Sequence, residues 1–146
     1  MQHNLILSKA KNHLLIYPSF FLARATKSFP VLIYPVISMD STITHAGSRE
    51  FLLGKNPSPA MVDRFSNEKQ VSENTPPAFL VHSLDDGAVP VQNSIDYALA
   101  MQKFNVPCEL HIYESGGHGY GLGRSSGTKA FWPEACREWL RVHGLL

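Results

Sequence analysis

The chain has 146 residues, enough for one ordinary domain with a sizeable apolar core. Apolar residues make up 44% and charged residues 17%, which is typical of a globular rather than a disordered protein. The formal net charge of +1 gives no electrostatic reason to expect nucleic acid or an anionic membrane surface as a partner. No apolar run approaches the roughly 20 residues of a transmembrane helix, so no membrane contact is expected.

Residues 1–28 are predicted to be a poorly defined lead-in. A basic stretch and an apolar run over residues 14–22 precede the small-residue sequence at 23–25, which together have the outline of a secretory signal. Pro18 interrupts that run, however, and Arg24 lies inside the cleavage-site pattern. The sequence leaves the compartment open, with the cytoplasm slightly favoured over export.

The following part of the chain combines one strand pattern with a surface excursion. An apolar run over residues 29–37 is rich in β-branched and aromatic side chains, which is typical of a strand covered on both faces. Residues 38–75 are more polar and contain helical patches at 48–53 and 59–65. We therefore expect the excursion to lie on the surface of the domain.

The second half of the chain alternates strands and helices. Residues 78–82 predict a strand, and a helix that ends near Phe104 is indicated by an apolar stripe of Val91, Ile95, Ala98 and Leu99. Residues 108–113 alternate like a half-exposed strand near a sheet edge. A glycine-rich loop over 116–127 precedes a closing helix, terminated by Gly144, with one face formed by Trp132, Cys136, Trp139 and Leu140. This order predicts an α/β fold, a parallel sheet with flanking helices, although three strands are few for such a sheet.

Two loops that follow predicted strands carry reactive side chains. Asp85 and Asp86 come directly after the strand at 78–82, and His118 lies among glycines after the next strand. Loops at the carboxyl ends of neighbouring parallel strands meet at one edge of the sheet. An aspartate that holds one imidazole nitrogen while the other faces a nucleophile forms the acid–base half of a catalytic triad. Each residue taken alone is more often a turn aspartate or a surface histidine than a catalytic group.

Several separated motifs, in this order, carry a family resemblance: YPVISM (34–39), TPPAFLVHSLDDGAVPVQNS (75–94), NVPCELHIYESGGHGYGL (105–122), and W…WL at Trp132 and Trp139-Leu140. Residues 29–146 thus resemble the C-terminal part of an α/β-hydrolase domain of the acetylesterase, feruloyl-esterase-like (xylan esterase-like) and prolyl-oligopeptidase-like serine hydrolases. The resemblance implies that Asp86 is the acid and His118 the base of a Ser-His-Asp triad. It leaves Asp85 to shape the turn.

No recognisable nucleophile accompanies this pair. The family needs a Ser on a strand–turn–helix elbow, G-x-S-x-G, upstream of both partners. The string occurs only around Ser125, which follows His118 and has no strand before it. Ser48 is better explained as a helix cap, and Ser41 and Ser83 offer nothing stronger. We therefore expect a truncated gene product, a partial gene or a half-domain completed by another chain, with near-background hydrolysis by this chain alone.

Other chemistries find no support in the sequence. The seven histidines show no zinc-protease spacing, and no phosphate-binding glycine loop is present, so neither a metal nor another cofactor is expected. Cys108 and Cys136 are predicted to be buried free thiols, and His82 a packed core residue.

The resemblance favours a hydrolase acting on small acyl esters or carbohydrate esters. A prolyl-oligopeptidase-like peptidase and a non-catalytic remnant are the alternatives, and an exposed sheet edge could permit self-association.

Overall fold

The computed structural model describes residues 5–8, 15–16, 28–122 and 127–146. In chain order, the described elements are β1 (Leu5–Ser8), β2 (Leu15–Ile16), β3 (Ser28–Ile33), α1 (Ala46–Leu53), α2 (Pro59–Phe65), β4 (Ala78–Ser83), α3 (Gln92–Lys103), β5 (Cys108–Tyr113) and α4 (Trp132–Val142), with short 3-10 turns at Asn67–Lys69 and Thr128–Phe131. None of the helices in this part of the chain is both long and apolar enough to cross a membrane.

The strands form one sheet in the order β2-β1-β3-β4-β5. β3, β4 and β5 are parallel, so the predicted parallel sheet is confirmed for these strands. β1 runs antiparallel to both β2 and β3, and neither β1 nor β2 was predicted from the sequence. Strands of four and two residues are too short to show a clear period of two. β5 lies at one edge of the described sheet, and self-association through that edge stays a prediction.

β4 is the central buried strand because both of its faces are covered. Phe79 and Val81 pack with α4 on one face, and Ala78 and Leu80 pack with α3 on the other. All four side chains are fully buried, which explains why β4 has no polar alternation. The predicted buried face of α4, which contains Trp132, Cys136, Trp139 and Leu140, is confirmed.

The prediction of a strand over residues 29–37 is wrong at its carboxyl end, because β3 stops at Ile33. Tyr34 has a φ of +42°, in the left-handed region that a bulky side chain rarely adopts. Pro35 then provides no N–H for a strand ladder. The rest of the apolar run is buried outside the sheet, so its hydrophobicity reflects packing rather than strand pairing.

The predicted apolar stripe of α3 is also wrong, although the helix itself is confirmed. Leu99 is 57% exposed, whereas the buried side chains are Asn93, Ser94, Tyr97 and Met101. Asn93 belongs to this face because its Oδ1 accepts hydrogen bonds from the backbone N–H groups of Ile37 and Ser38, both at 2.9 Å. At the start of α3, polar residues with specific hydrogen-bond partners are therefore buried in place of the apolar residues that the pattern predicted.

The excursion forms the predicted helices, and its first cap differs from expectation. The side chain of His45 caps α1 by accepting from the backbone N–H of Ser48, which corrects the prediction that Ser48 is the cap. Ser48 lies inside the first turn of α1, with its Oγ 3.0 Å from His45 Nδ1. Ser58 is the capping residue of α2, and Pro59 at the first helical position suits a helix start.

Candidate functional site

The site lies where β4 and β5 end side by side. The two strands are parallel and in register from Ala78 opposite Cys108 to Ser83 opposite Tyr113, so their following loops leave the same edge of the sheet. The first loop carries Asp86, whose Oδ1 accepts hydrogen bonds from the backbone N–H groups of Ala88 and Val89, both at 2.9 Å. These bonds fix the carboxylate within its own turn.

The structure brings Asp86 and His118 together. His118 Nδ1 lies 2.9 Å from Asp86 Oδ2, a distance at which Nδ1–H donates to the carboxylate. The His118 side chain is 28% exposed, while that of Asp86 is buried. No described residue forms a hydrogen bond with the other ring nitrogen, His118 Nε2. In this tautomer Nε2 carries a lone pair, so it can accept a proton from a group that approaches from the open side.

Two opposing effects set the charge state of Asp86. Burial raises the pKa of its carboxyl group, but the hydrogen bonds from Val89 N–H, His118 and Ala88 N–H outweigh burial and leave the pKa below its usual value. Asp86 is therefore ionised at neutral pH and can stabilise a positively charged His118 ring.

Asp85 holds the second loop. Its Oδ1 accepts hydrogen bonds from the backbone N–H groups of Gly116 and Gly117, both at 2.8 Å. Gly116 has a packing reason as well, because a Cβ atom there would lie 2.3 Å from Ser83 Oγ. Asp85 thus ties the loop of His118 to the loop of Asp86, whereas the side-chain hydrogen bonds within the first loop are made by Asp86 and not by Asp85.

Tyr34 is a site residue that the sequence reasoning missed. Its ring centroid lies 4.4 Å from that of His118 and 4.9 Å from that of Tyr120. Its hydroxyl oxygen accepts a hydrogen bond from the backbone N–H of Gly121 at 3.2 Å. Burial raises the pKa of Tyr120 to about 12, so that ring is uncharged. The sequence signals for Tyr34 were its position inside the apolar run and at the start of the YPVISM motif, and neither reveals its backbone conformation.

His82 is a second histidine on the same carboxylate. It is fully buried, as predicted for a packed core residue, with Nδ1 2.8 Å from Ser94 Oγ and Nε2 2.9 Å from the Val89 carbonyl oxygen. Its Nε2 also lies 3.3 Å from Asp86 Oδ2. Burial lowers the pKa of His82, against the opposing effects of Val89 and Asp86, so the ring is neutral.

The described residues contain no serine hydroxyl bonded to His118. Ser125 lies outside the described residues, and Ser48 is bonded to His45. Ser83 and Ser94 are fully buried, so a substrate cannot reach them.

The described residues also contain no cluster of His, Cys, Asp and Glu with the geometry of a metal site. Cys108 and Cys136 are free thiols, but only Cys136 is buried as predicted, because Cys108 is partly exposed. Burial raises the pKa of each thiol to about 11.

Comparisons with known proteins identify the family of the chain. The profile of the prolyl oligopeptidase family matches residues 20–140. An acetylxylan esterase of Xylanibacter ruminicola is 42% identical over 100 residues, which cover 66% of this chain and 21% of that protein. Endo-1,4-beta-xylanase B of Butyrivibrio fibrisolvens is 42% identical over 89 residues, or 61% of this chain and 14% of that protein. The chain thus spans about a fifth or less of the curated relatives it matches.

Solved structures show the same likeness. An acetyl ester-xyloside bifunctional hydrolase from Caldicellulosiruptor lactoaceticus has 44% sequence identity and a TM-score of 0.77, with 80% of this chain aligned to 42% of that chain. A carboxylesterase from Lactobacillus plantarum has 26% identity and a TM-score of 0.64, with 80% of this chain aligned to 44% of that chain. The profile match covers most of the sequence, so the chain belongs to the prolyl oligopeptidase family and has the fold of the C-terminal part of an α/β-hydrolase.

Proposed function

We propose that this chain supplies the acid and the base of a carboxylic-ester hydrolase, with Asp86 as the acid and His118 as the base. The observation that carries the proposal is the 2.9 Å contact between Asp86 Oδ2 and His118 Nδ1, which leaves His118 Nε2 without a described partner. This is the geometry that a serine-activating pair requires.

The chemistry follows from the two ring nitrogens. Nε2 of His118 takes the proton of a serine hydroxyl while the serine oxygen bonds to the ester carbonyl carbon. The resulting imidazolium donates from Nδ1 to Asp86, whose negative charge stabilises it. Nε2 then returns the proton to the alcohol leaving group as the acyl–oxygen bond breaks. In the second half-reaction Nε2 takes a proton from water while the water oxygen bonds to the acyl carbon. Nε2 then returns this proton to the serine oxygen as the acyl–serine bond breaks, which releases the acid and regenerates the serine. The serine in this proposal lies outside the described residues.

The substrate class we propose is an acyl ester, in particular an acetyl ester on a carbohydrate. Its support is the similarity to proteins called an acetylxylan esterase and an acetyl ester-xyloside bifunctional hydrolase. Peptide hydrolysis is the second candidate, supported by the match to the prolyl oligopeptidase family. The same acid–base pair serves both reactions, because proton transfer to an amine leaving group uses the same Nε2.

The test uses a chimera in which residues 28–146 replace the corresponding segment of the Caldicellulosiruptor hydrolase. We expect it to hydrolyse p-nitrophenyl acetate and to release acetate from acetylated xylan, and we expect His118→Ala to abolish both activities. Cleavage of a proline p-nitroanilide peptide instead of these esters would favour the peptidase.

A matched control is His111→Ala, because His111 also pairs with a carboxylate, with its Nε2 2.7 Å from Glu109 Oε1, but lies within β5. This variant should keep its ester activity. If a folded His118→Ala chimera hydrolyses esters as fast as its parent, the proposal is wrong.

The chain alone gives the complementary measurement. We expect it to hydrolyse p-nitrophenyl acetate no faster than its His118→Ala variant and to remain unlabelled by a fluorophosphonate probe. Labelling that depends on His118 would place an activated serine within this chain and overturn the expectation that the chain lacks the nucleophile.

A further inference from the structure

We propose that His82 and Ser94 form a positioning pair that holds the carboxylate of Asp86 in the orientation that His118 needs. The inference rests on the proposed function, because it concerns the same acid and base. Neither residue touches the open side of the site, so the pair acts only through Asp86.

The contacts form a continuous chain of side chains. Ser94 Oγ lies 2.8 Å from His82 Nδ1, and His82 Nε2 lies 3.3 Å from Asp86 Oδ2. The same Oδ2 lies 2.9 Å from His118 Nδ1. Ser94, His82 and the Asp86 side chain are fully buried, so water does not compete for these contacts.

The protonation of His82 follows from its partners. The Val89 carbonyl oxygen, 2.9 Å from Nε2, can only accept, so Nε2 carries the proton. Nδ1 of a neutral ring is then an acceptor, and the Ser94 hydroxyl donates to it. The Nε2–H group donates to Val89, and Asp86 Oδ2 lies 3.3 Å from the same nitrogen, so the positive end of this N–H dipole also attracts that oxygen.

The contacts of its two oxygens leave the Asp86 carboxylate little freedom to turn. Oδ1 is held by the backbone N–H groups of Ala88 and Val89, and Oδ2 lies between the ring nitrogens of His82 and His118. His118 sits in a glycine-rich loop that has little intrinsic stiffness. A fixed Oδ2 compensates for this, because it presents His118 with an acceptor already in position before any substrate binds.

The first test needs no mutation and uses the chain itself, labelled with ¹⁵N at histidine. Nuclear magnetic resonance at neutral pH should show His82 protonated at Nε2 with a bare Nδ1, and His118 protonated at Nδ1. A His82 ring protonated at Nδ1, or at both nitrogens, would overturn the proposal, since Ser94 would then accept and the tautomer argued above would be absent.

The second test measures how fast His118 Nδ1–H exchanges with water. Ser94→Ala removes the donor to His82, and we expect the exchange to become about fivefold to tenfold faster, the effect of weakening one hydrogen bond. Ser94→Cys keeps a weak donor and should give an intermediate rate.

The matched control is Ser66→Ala, which also removes a fully buried serine, one that donates to the Val62 carbonyl oxygen and accepts from Met39 N–H. It should leave the His118 signal unchanged. Equal effects of Ser94→Ala and Ser66→Ala, or no effect of Ser94→Ala, would refute the positioning role.

These measurements need no nucleophile, so the two proposals can fail separately. Ester hydrolysis that depends on His118, without the predicted His82 tautomer, refutes only the positioning pair. The predicted tautomer, in a chimera that hydrolyses no ester, refutes only the proposed function.

Discussion

Two histidines approach one carboxylate oxygen in this protein, and they differ in what lies beyond the ring. The nitrogen of His82 that faces away from Asp86 is covered by Ser94 in the core, whereas the corresponding nitrogen of His118 has no described partner and its side chain is 28% exposed. Ser94, His82 and Asp86 have the composition of a catalytic triad but are closed to substrate. Access to the far nitrogen therefore separates a reactive histidine from a supporting one, and residue type alone does not.

Removing the shared carboxylate should have the largest effect, because it orients His118 and because the positioning pair acts only through it. We expect Asp86→Asn to lower kcat for p-nitrophenyl acetate in the chimera by about 10³-fold to 10⁴-fold, since an amide can donate to Nδ1 and favour the wrong His118 tautomer. Steady-state kinetics measures this, with His111→Ala as the control. A fall of less than tenfold would mean that Asp86 does not orient the base.

The two histidines should differ in their contribution to stability. We expect His82→Ala to lower the free energy of unfolding by about 3 kcal/mol, because it leaves a cavity and an unpaired Ser94 hydroxyl in the core. His118→Ala should cost about 1 kcal/mol or less, because its ring is partly exposed. Urea unfolding followed by tryptophan fluorescence and circular dichroism measures both. Equal costs would contradict the division of roles.

As the pH falls, the free energy of unfolding should decrease first because of the buried His82 and then because of Asp86. The pKa of His82 is lower in the folded chain than in the unfolded chain, so the unfolded chain takes up a proton at this residue first. The stability that depends on neutral His82 is therefore present above about pH 6.5, and it is lost as the pH falls through the lowered pKa of the folded state. The pKa of Asp86 is lowered too, so a second loss begins below about pH 4.

Unfolding free energies measured across this range for the parent and for His82→Gln should differ in the first step only. A His82→Gln curve with an unchanged first step would assign that loss to another group.

The smallest expected effect concerns the loop that carries His118. Asp85→Ala removes the acceptor for Gly116 N–H and Gly117 N–H, and we expect a loss of about 1 kcal/mol in local stability, which appears as faster amide hydrogen exchange at these two glycines. Exchange at Ala88 and Val89, whose amides are bonded to Asp86, should be unaffected. Uniform acceleration across both loops would indicate a general loss of structure.

Part of this site could be predicted from the sequence, because its position depends on the order of the strands and on local residue patterns. Alternating strand and helix patterns predicted β4, β5 and α4, and the spacing of post-strand loops predicted that Asp86 and His118 would meet. The contact of His82 with Asp86 was not predicted, because it depends on how the turn at residues 84–89 folds back over the strand. The role of Tyr34 was missed since its backbone conformation is imposed by tertiary packing.

The errors have a common physical origin. The apolar run at residues 29–37 combined a strand with buried irregular backbone, and hydrophobicity alone does not distinguish them. In α3, the buried positions Asn93 and Ser94 are polar because each has a specific partner, so an apolar stripe pointed to the wrong face. Short strands such as β1 and β2 carry too few residues for a periodic signal.

The two native thiols lie on opposite sides of the sheet, so their reactivity can report on the opening of each side separately. Cys136 packs with the cluster that α4 covers, and Cys108 with the cluster that α3 covers. With the pKa of each raised to about 11, both are almost entirely protonated at neutral pH and should react slowly with iodoacetamide while the chain is folded. The separate alkylation rates of the two cysteines would therefore show which layer of the molecule opens first, without any introduced label.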